Sequence, residues 1–396
     1  MRKSAEMKKA RIHTPRILYI QFTNPTAYPP LEHSAIILKK KGWEISFAGV
    51  RWNDSGDFEF SSELRARLDL ITAPNRKWAR KLFYARFIFH AISSSLRVMP
   101  SWVYVSDPVA TPAGLVISLL GFRVIYHEHD APNLNSGKRF NKLIIACRKK
   151  LAQRCALNII PQESRKTIFI KDTQTERPVI RVWNCPRKEE VSNQAREVRN
   201  IDQPLGIYYH GSITLQRVPL ALVEAAGRAG CPVLLRVVGY ETIGSKGTTV
   251  QLKKAAQVYE DTLKLETPGP QADRKGLFKQ MQGMQIGWIV YNEEVEDINL
   301  RHLAGASNKA FDYLAAGLGL FINDTPEWVE IFRKDETAIP CNIRDIDKLS
   351  ELIRWAYENP RLIAEMGERG RQLIATTHNY ANQFRPVLEF MENKDC

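Results

Sequence analysis

The stretch Gln285–Asp324 admits few folds. Met284-Gln285-Ile286-Gly287-Trp288-Ile289-Val290-Tyr291 reads as a buried strand, a polar loop follows, and Ser307 to Gly317 reads as a helix. Ser307 is its N-cap and Gly317 its C′ residue. Phe311, Leu314, Ala315 and Leu318 recur at helical spacing and can face a sheet, which leaves Asn308, Lys309 and Asp312 along the opposite edge of the first turns. The free N–H groups of such a helix start suit a phosphate. Asp312 stands one turn behind Asn308, where an acceptor-only carboxylate can take hydrogen bonds from two vicinal hydroxyls. The segment outlines a nucleotide pocket; the plainer alternative is an ordinary αβ unit with a surface Asp.

These residues resemble the nucleotide-sugar signature of family 4 glycosyltransferases, retaining enzymes of the GT-B fold. The matching positions are Asn308, Lys309, Asp312, Tyr313, Ala315 and Gly317, followed by the strand Leu318–Asn323 and a helix opened by Pro326. The resemblance implies that Asp312 binds the donor ribose and that the helix start at Ser307 and Asn308 faces the diphosphate. Asp312 replaces the family's Glu, which shortens the reach by about 1.5 Å. The family's first Glu falls on Ala304, so its role is absent or passes to Glu294, Glu296 or Asp297.

At 396 residues the chain is long enough for two domains. Its 44% hydrophobic and 25% charged content is that of a soluble globular protein, and no apolar run approaches the roughly 18 residues of a membrane span. Met1 to Arg16 is basic and polar without a signal peptide's apolar centre, so a cytoplasmic protein with a disordered tail over 1–15 is expected. Six scattered cysteines form no C-x-x-C pair and read as reduced thiols. The net charge of +14 is unevenly placed: residues 1–200 hold 35 Lys and Arg against 17 Asp and Glu, a net +18, and the remainder is acidic. One basic half points to an anionic surface, either a membrane leaflet or nucleic acid.

Taken in order, Arg16–Gln21 reads as a first strand, Glu32–Lys41 as a helix and Trp43–Val50 as a second strand. No G-x-G-x-x-G follows the first strand; its turn, Phe22 to Pro30, contains Asn24 and Tyr28. Dinucleotide binding of the dehydrogenase kind is therefore not expected. Arg76–Arg97 carries Trp78, Leu82, Phe89 and Leu96 at helical spacing beside Arg76, Lys77, Arg80 and Lys81, a pattern that fits a helix lying at a lipid surface or one packed on the sheet. A further strand, Phe122–Tyr126, ends in His127-Glu128-His129-Asp130, which places this cluster at a carboxyl edge of the sheet. His127 and His129 share one face there, but no third ligand is evident, so no metal site is expected. Arg187–Pro204 is charged, lacks apolar periodicity and reads as a linker. Leu205–Ile213 is a strand running into Gly211 and Ser212, followed by Arg217. Val233–Gly239 is another strand, and Asp345-Ile346-Asp347 marks a helix start rather than a metal motif.

The resemblance extends over these elements. It implies an α/β chain of two Rossmann-like domains facing across a cleft, with a C-terminal helix crossing back to the N-terminal domain. The boundaries are 1–186 for the acceptor domain, 187–204 for the linker, 205–377 for the nucleotide-sugar domain and 378–396 for the crossing helix. Gly211, Ser212 and Gly239, together with Ser307, Asn308 and Asp312, are implied to bind the donor. His129, Arg217 and Lys309 are implied to act in catalysis, and Asn24, Tyr28 and Asp130 to face the acceptor. The implied activity moves a sugar from a nucleoside diphosphate sugar to a lipid-linked or polysaccharide acceptor in cell-surface glycan synthesis, with no metal cofactor and with retention. The basic domain would rest on an anionic membrane surface. A nucleotide-sugar epimerase or an inactive relative would share the same motifs. A nucleic-acid binder is the rival from another class, and no recognised module supports it.

Overall fold

Parallel strands need long crossovers, and from Arg16 onward apolar strand runs alternate with helices, so the chain has little choice but to wind parallel sheets. The computed structural model describes residues 14–52, 59–133, 139–192, 197–271, 273–291 and 297–395. The first sheet is built from β1 (Arg16–Gln21), α1 (Pro29–Lys40), β2 (Glu44–Arg51), β3 (Arg67–Thr72), α2 (Arg80–Val98), β4 (Trp102–Ser106), α3 (Thr111–Leu119), β5 (Val124–His127), α4 (Arg139–Arg154), β6 (Leu157–Ile160), α5 (Glu163–Thr173) and β7 (Val179–Arg181). The second comprises β8 (Leu205–Ile213), α6 (Leu220–Arg228), β9 (Val233–Glu241), α7 (Thr248–Gln257), β10 (Leu263–Glu266), α8 (Arg274–Gln280), β11 (Ile286–Ile289), the single turn α9 (Ile298–Arg301), α10 (Asn308–Ala315) and β12 (Gly319–Asn323). It is completed by α11 (Pro326–Trp328), β13 (Ala338–Cys341), α12 (Ile346–Glu358), α13 (Pro360–Thr376) and α14 (Tyr380–Asp395).

Strand order is β3-β2-β1-β4-β5-β6-β7 in one sheet and β10-β9-β8-β11-β12-β13 in the other, all parallel. The winding direction reverses beside β1 and beside β8, and each reversal opens a crevice at the carboxyl ends of the strands. Alternate side chains feed opposite cores. Ile17, Tyr19 and Tyr104 pack with Leu31, Ala35 and Ile36 of α1, while Leu18, Ile20 and Val105 pack with Phe83 and Phe87 of α2 and Ile117 of α3. In the second sheet Phe311, Leu314 and Ala315 of α10 lie against Tyr208, Ile289 and Leu320. The last helix returns to the first sheet: Tyr380, Phe384, Val387 and Met391 share a core with Tyr19 and Trp102, and Lys41 Nζ meets Glu392 Oε1 at 2.7 Å.

The two-sheet architecture is the one expected. The elements that escape the sequence reading include β3, α5, α7 and β13; of these, β3 is a half-exposed edge strand with weak apolar contrast, and α5 buries only Arg165, Phe169 and Thr173. The described part of 187–204 is fastened rather than loose, with Val191 buried and Ser192 N donating to Ala315 O at 3.2 Å. Asp345 caps α12 through Lys348 N at 3.1 Å, as its position implied.

Candidate active site

The carboxyl end of β8 brings backbones unusually close. Gly211 (φ +125°) is paired in register with Gly239 (φ +147°) on β9. A Cβ on Gly239 would stand 1.8 Å from Gly211 O, and one on Gly211 would stand 2.5 Å from Lys309 Cε. Lys309 therefore lies directly over Gly211, in space that only the missing side chain provides. Gly239 offers no donor to a ligand, since its N–H goes to Gly269 O at 3.2 Å; the donor-binding role expected of it is replaced by one of close packing. Gly239→Ala is expected to cost about 1–3 kcal/mol from backbone strain alone, with the clash added, and a lowered melting temperature checks it.

Lys309 is half-buried and makes no hydrogen bond or ion pair among the described residues. Burial pushes its pKa down to about 7, Arg217 adds to the fall, and Asp312 and Asp130 oppose it. Arg217 sits in the turn after β8. Its carbonyl takes the indole N–H of Trp288 at 3.1 Å, and its side chain meets the Tyr209 hydroxyl. Ser212 contributes its carbonyl to the Tyr209 hydroxyl at 2.7 Å. Ser307 is the N-cap of α10, yet its buried Oγ has no partner and caps nothing. Asn308 follows as the first helical residue, half-buried. The amino end of α10 thus presents uncapped N–H groups and the positive pole of a helix beside two cations, an arrangement that stabilises an oxyanion.

Asp312 departs from the expectation. It does not line an open edge but is only 2% exposed, with Oδ1 2.7 Å from Arg274 Nη2 and Oδ2 3.3 Å from Arg274 Nη1. His210 Nε2 stands 3.6 Å from Oδ2. Burial beneath Arg274, rather than any shortage of lone pairs, keeps a ribose hydroxyl from the carboxylate in this arrangement. Arg274 Nε also bonds Glu190, whose other oxygen lies 3.2 Å from Nε2 of His33 on α1. A buried charge chain therefore runs from α10 to the first domain. The spacing of residues along α10 could not announce it, because Arg274 comes from a different element.

The facing wall is built at the carboxyl ends of β4 and β5. His129 is buried, its ring 5.8 Å from that of Tyr28 and 3.8 Å from that of His127, and its Nε2 has no partner. Burial pushes its pKa down to about 4, so near pH 7 it is neutral. Asp130 is exposed, 3.8 Å from Arg165 and close enough to Lys309 to influence its charge. Asn24 turns inward instead, accepting from Thr26 N at 3.2 Å to cap a local turn, so its carbonyl oxygen serves the turn rather than a ligand. Sequence reasoning missed Asp107. It sits just past β4 with φ +69°, accepts from His129 N at 3.2 Å and Gln21 Nε2 at 3.0 Å, and burial raises its pKa to about 6. A polar residue before a proline at a strand's carboxyl end was the available signal. Asp297 caps α9 through Asn299 N at 2.9 Å, while Glu294 and Glu296 lie outside the described residues.

The two walls are tied together. The buried Arg165 donates to His129 O at 2.7 Å in the first domain and to His302 O at 2.7 Å and Asn299 O at 2.5 Å in the second. The Asn299 side chain returns two bonds to the Ala131 backbone, at 2.7 and 3.0 Å. Asp130 of the first wall thereby comes within electrostatic reach of Lys309 on the second.

Residues 277–389 match the model of a family described as glycosyl transferase-like. No curated protein matches the chain. Sucrose-phosphate synthase from Thermosynechococcus elongatus superposes with a TM-score of 0.70 at 12% identity, over 96% of this chain and 99% of that one. HepE from Anabaena in complex with UDP-glucose gives 0.69 at 12% identity, over 96% and 99%. An α,α-trehalose-phosphate synthase (UDP-forming) from Burkholderia xenovorans gives 0.65 at 10% identity, over 96% and 100%. At these identities the likeness establishes the fold, which is GT-B, as the sequence resemblance implied.

Proposed function

We propose that this GT-B chain transfers a sugar from a nucleoside diphosphate donor to a hydroxyl of a lipid-linked or polysaccharide acceptor, with retention at the anomeric carbon. The observation that carries the reading is the unpaired Lys309, laid over Gly211 beside Arg217 and the uncapped start of α10. Breaking the bond between the anomeric carbon and the phosphate oxygen leaves negative charge on the diphosphate. Preorganised donors aimed at developing charge lower the barrier most. Arg217, Lys309 and the amino end of α10 meet that charge, so the transfer calls on no metal cofactor. One solved neighbour bears on the donor: HepE is seen with UDP and with UDP-glucose.

In this reading the acceptor hydroxyl approaches from the His129 and Tyr28 wall, and a donor phosphate oxygen takes its proton as the new bond forms on the same face. His129 is neutral and offers a free Nε2 to a sugar hydroxyl. Asp107 holds the backbone of the His129 turn in place. Asp312 acts on the ribose through Arg274, whose partly exposed guanidinium it fixes. The strongly basic first half faces an anionic surface carrying the acceptor, at the cytoplasmic side of a membrane.

Thermal shift with UDP- and GDP-sugars tests the donor class, since a ligand that prefers the native state raises its melting temperature; no shift with either series would contradict the proposal. His129→Ala is expected to lower kcat by about 10²–10³-fold, as loss of a placed hydrogen-bonding group at a reacting centre does, while donor affinity stays within a factor of about two. Steady-state kinetics beside calorimetric donor titration checks the split.

A further inference from the structure

The outer layer of the first domain carries a surface that the cleft does not use. α2, α3 and α4 contain no Asp or Glu. The inner face of α2 is accounted for, because Phe83, Tyr84, Phe87 and Ala91 pack on the sheet. Its outer face is not: Leu82 is 74% exposed and Phe89 73%, with Trp78 in the preceding turn at 74%. Phe140 and Leu143, at the start of α4, are 45% and 50% exposed. The Tyr84 and Phe140 rings meet edge to face at 4.9 Å, which joins the two helix starts into one surface. Arg80, Lys81, Arg86, Arg139 and Lys142 stand among these apolar groups and form no ion pair with any described residue. Scattered exposed apolar residues need no explanation. Large ones aligned along a helix and rimmed by unpaired cations, with the one carboxylate found against α2 among the described residues, Asp69, held by Arg97 and His90 toward its carboxyl end, match what an anionic lipid interface selects.

We propose that this face docks on an anionic lipid bilayer, with Trp78, Leu82 and Phe89 entering the boundary between headgroups and acyl chains and the neighbouring cations resting on lipid phosphates. The contact is peripheral: among the described residues no helix is long and apolar enough to cross a membrane. A second copy of the chain fits the face poorly, because two surfaces with an excess of unpaired cations repel. The orientation has a consequence for the cleft. The Tyr84 hydroxyl donates to Val109 O at 2.8 Å, two residues beyond Asp107, so α2 begins next to the acceptor wall. Docking sets the mouth of the cleft at the bilayer, where an acceptor anchored by a lipid can enter. That last step rests on the proposed transfer; the docking itself does not.

The test is co-sedimentation of the full chain with phosphatidylcholine vesicles with and without phosphatidylglycerol, for the wild type and for the double variant Leu82→Ser/Phe89→Ser. The expected result is binding that requires the anionic lipid, weakens with salt and falls about 10-fold or more in the double variant, with an unchanged melting temperature because both side chains are already exposed. The charge-reversal pair Arg80→Glu/Lys81→Glu should likewise weaken binding by about 10-fold. Absence of binding to anionic vesicles, or undiminished binding by both variants, overturns the proposal. So does a concentration-dependent dimer that the double variant abolishes, or duplex DNA binding, lost in the variants, in place of vesicle binding. UDP affinity of the variants, measured by calorimetry, separates the two readings: docking without any nucleotide binding counts against the transfer alone, and nucleotide binding without docking counts against the membrane face alone.

Discussion

Asp312→Ala is expected to destabilise the chain by about 3–5 kcal/mol, the cost of removing one partner from a buried ion pair and leaving the other charge uncompensated. Arg274 would keep Glu190 but lose both of its bonds to α10. His210 would lose its carboxylate neighbour as well. Replacing both members, Asp312→Leu with Arg274→Met, should recover most of the loss, because no unpaired charge then remains. Chemical denaturation of the wild type, the single variant and the double variant measures both effects. The pH dependence has a definite sign. Burial pushes the Asp312 carboxyl upward, but Arg274 and His210 outweigh it and hold it below its ordinary value. The pair therefore contributes fully above about pH 4, the ordinary Asp pKa, and its contribution is lost as pH falls through the lower folded value.

Lys309→Met is expected to lower kcat/KM by about 10²–10³-fold, in the range seen when one preorganised charge-stabilising group is removed. Methionine keeps an unbranched side chain over Gly211, so the fold should survive. The same residue predicts a pH signature. With its pKa near 7 in the free protein, Lys309 is largely neutral by pH 8, and binding a diphosphate draws a proton onto it. Affinity for a nucleoside diphosphate should fall as pH rises above 7, with proton uptake visible as a dependence of the binding enthalpy on the buffer. Lys309→Met should show neither. Equal proton uptake by the variant would assign the titration to another group.

The parts of this fold legible in the sequence are those encoded locally. Apolar runs such as Trp102–Ser106 and Ile286–Ile289 are buried on both faces of their sheets and announce themselves without reference to partners. Gly317, at φ +74°, ends α10 as a local stop signal implies, and the strand carrying His129 ends at a carboxyl edge that spacing can show. What stayed hidden depends on contacts between distant segments. Arg274 and Asp312 are brought together only when α8 and α10 pack on neighbouring strands, and the helical spacing that placed Asp312 on a polar edge carried no information about a guanidinium covering it. Arg165 looked like one charge in a basic half, whereas its value lies in three carbonyls from both domains. The left-handed backbone of Asp107 appears only in the folded turn. β3 lacked contrast because an edge strand need not bury both faces.

In the proposed transfer the amino end of α10, with Lys309, Gly211 and Arg217, receives the leaving diphosphate. A crystal structure of the chain with a bound nucleoside diphosphate, UDP or GDP, tests it most directly. Phosphate oxygens are expected within about 3 Å of Lys309 Nζ, of the Arg217 guanidinium and of a first-turn backbone N–H of α10, ordinary hydrogen-bonding distance. A diphosphate bound elsewhere, with Lys309 still unpartnered above Gly211, would contradict it.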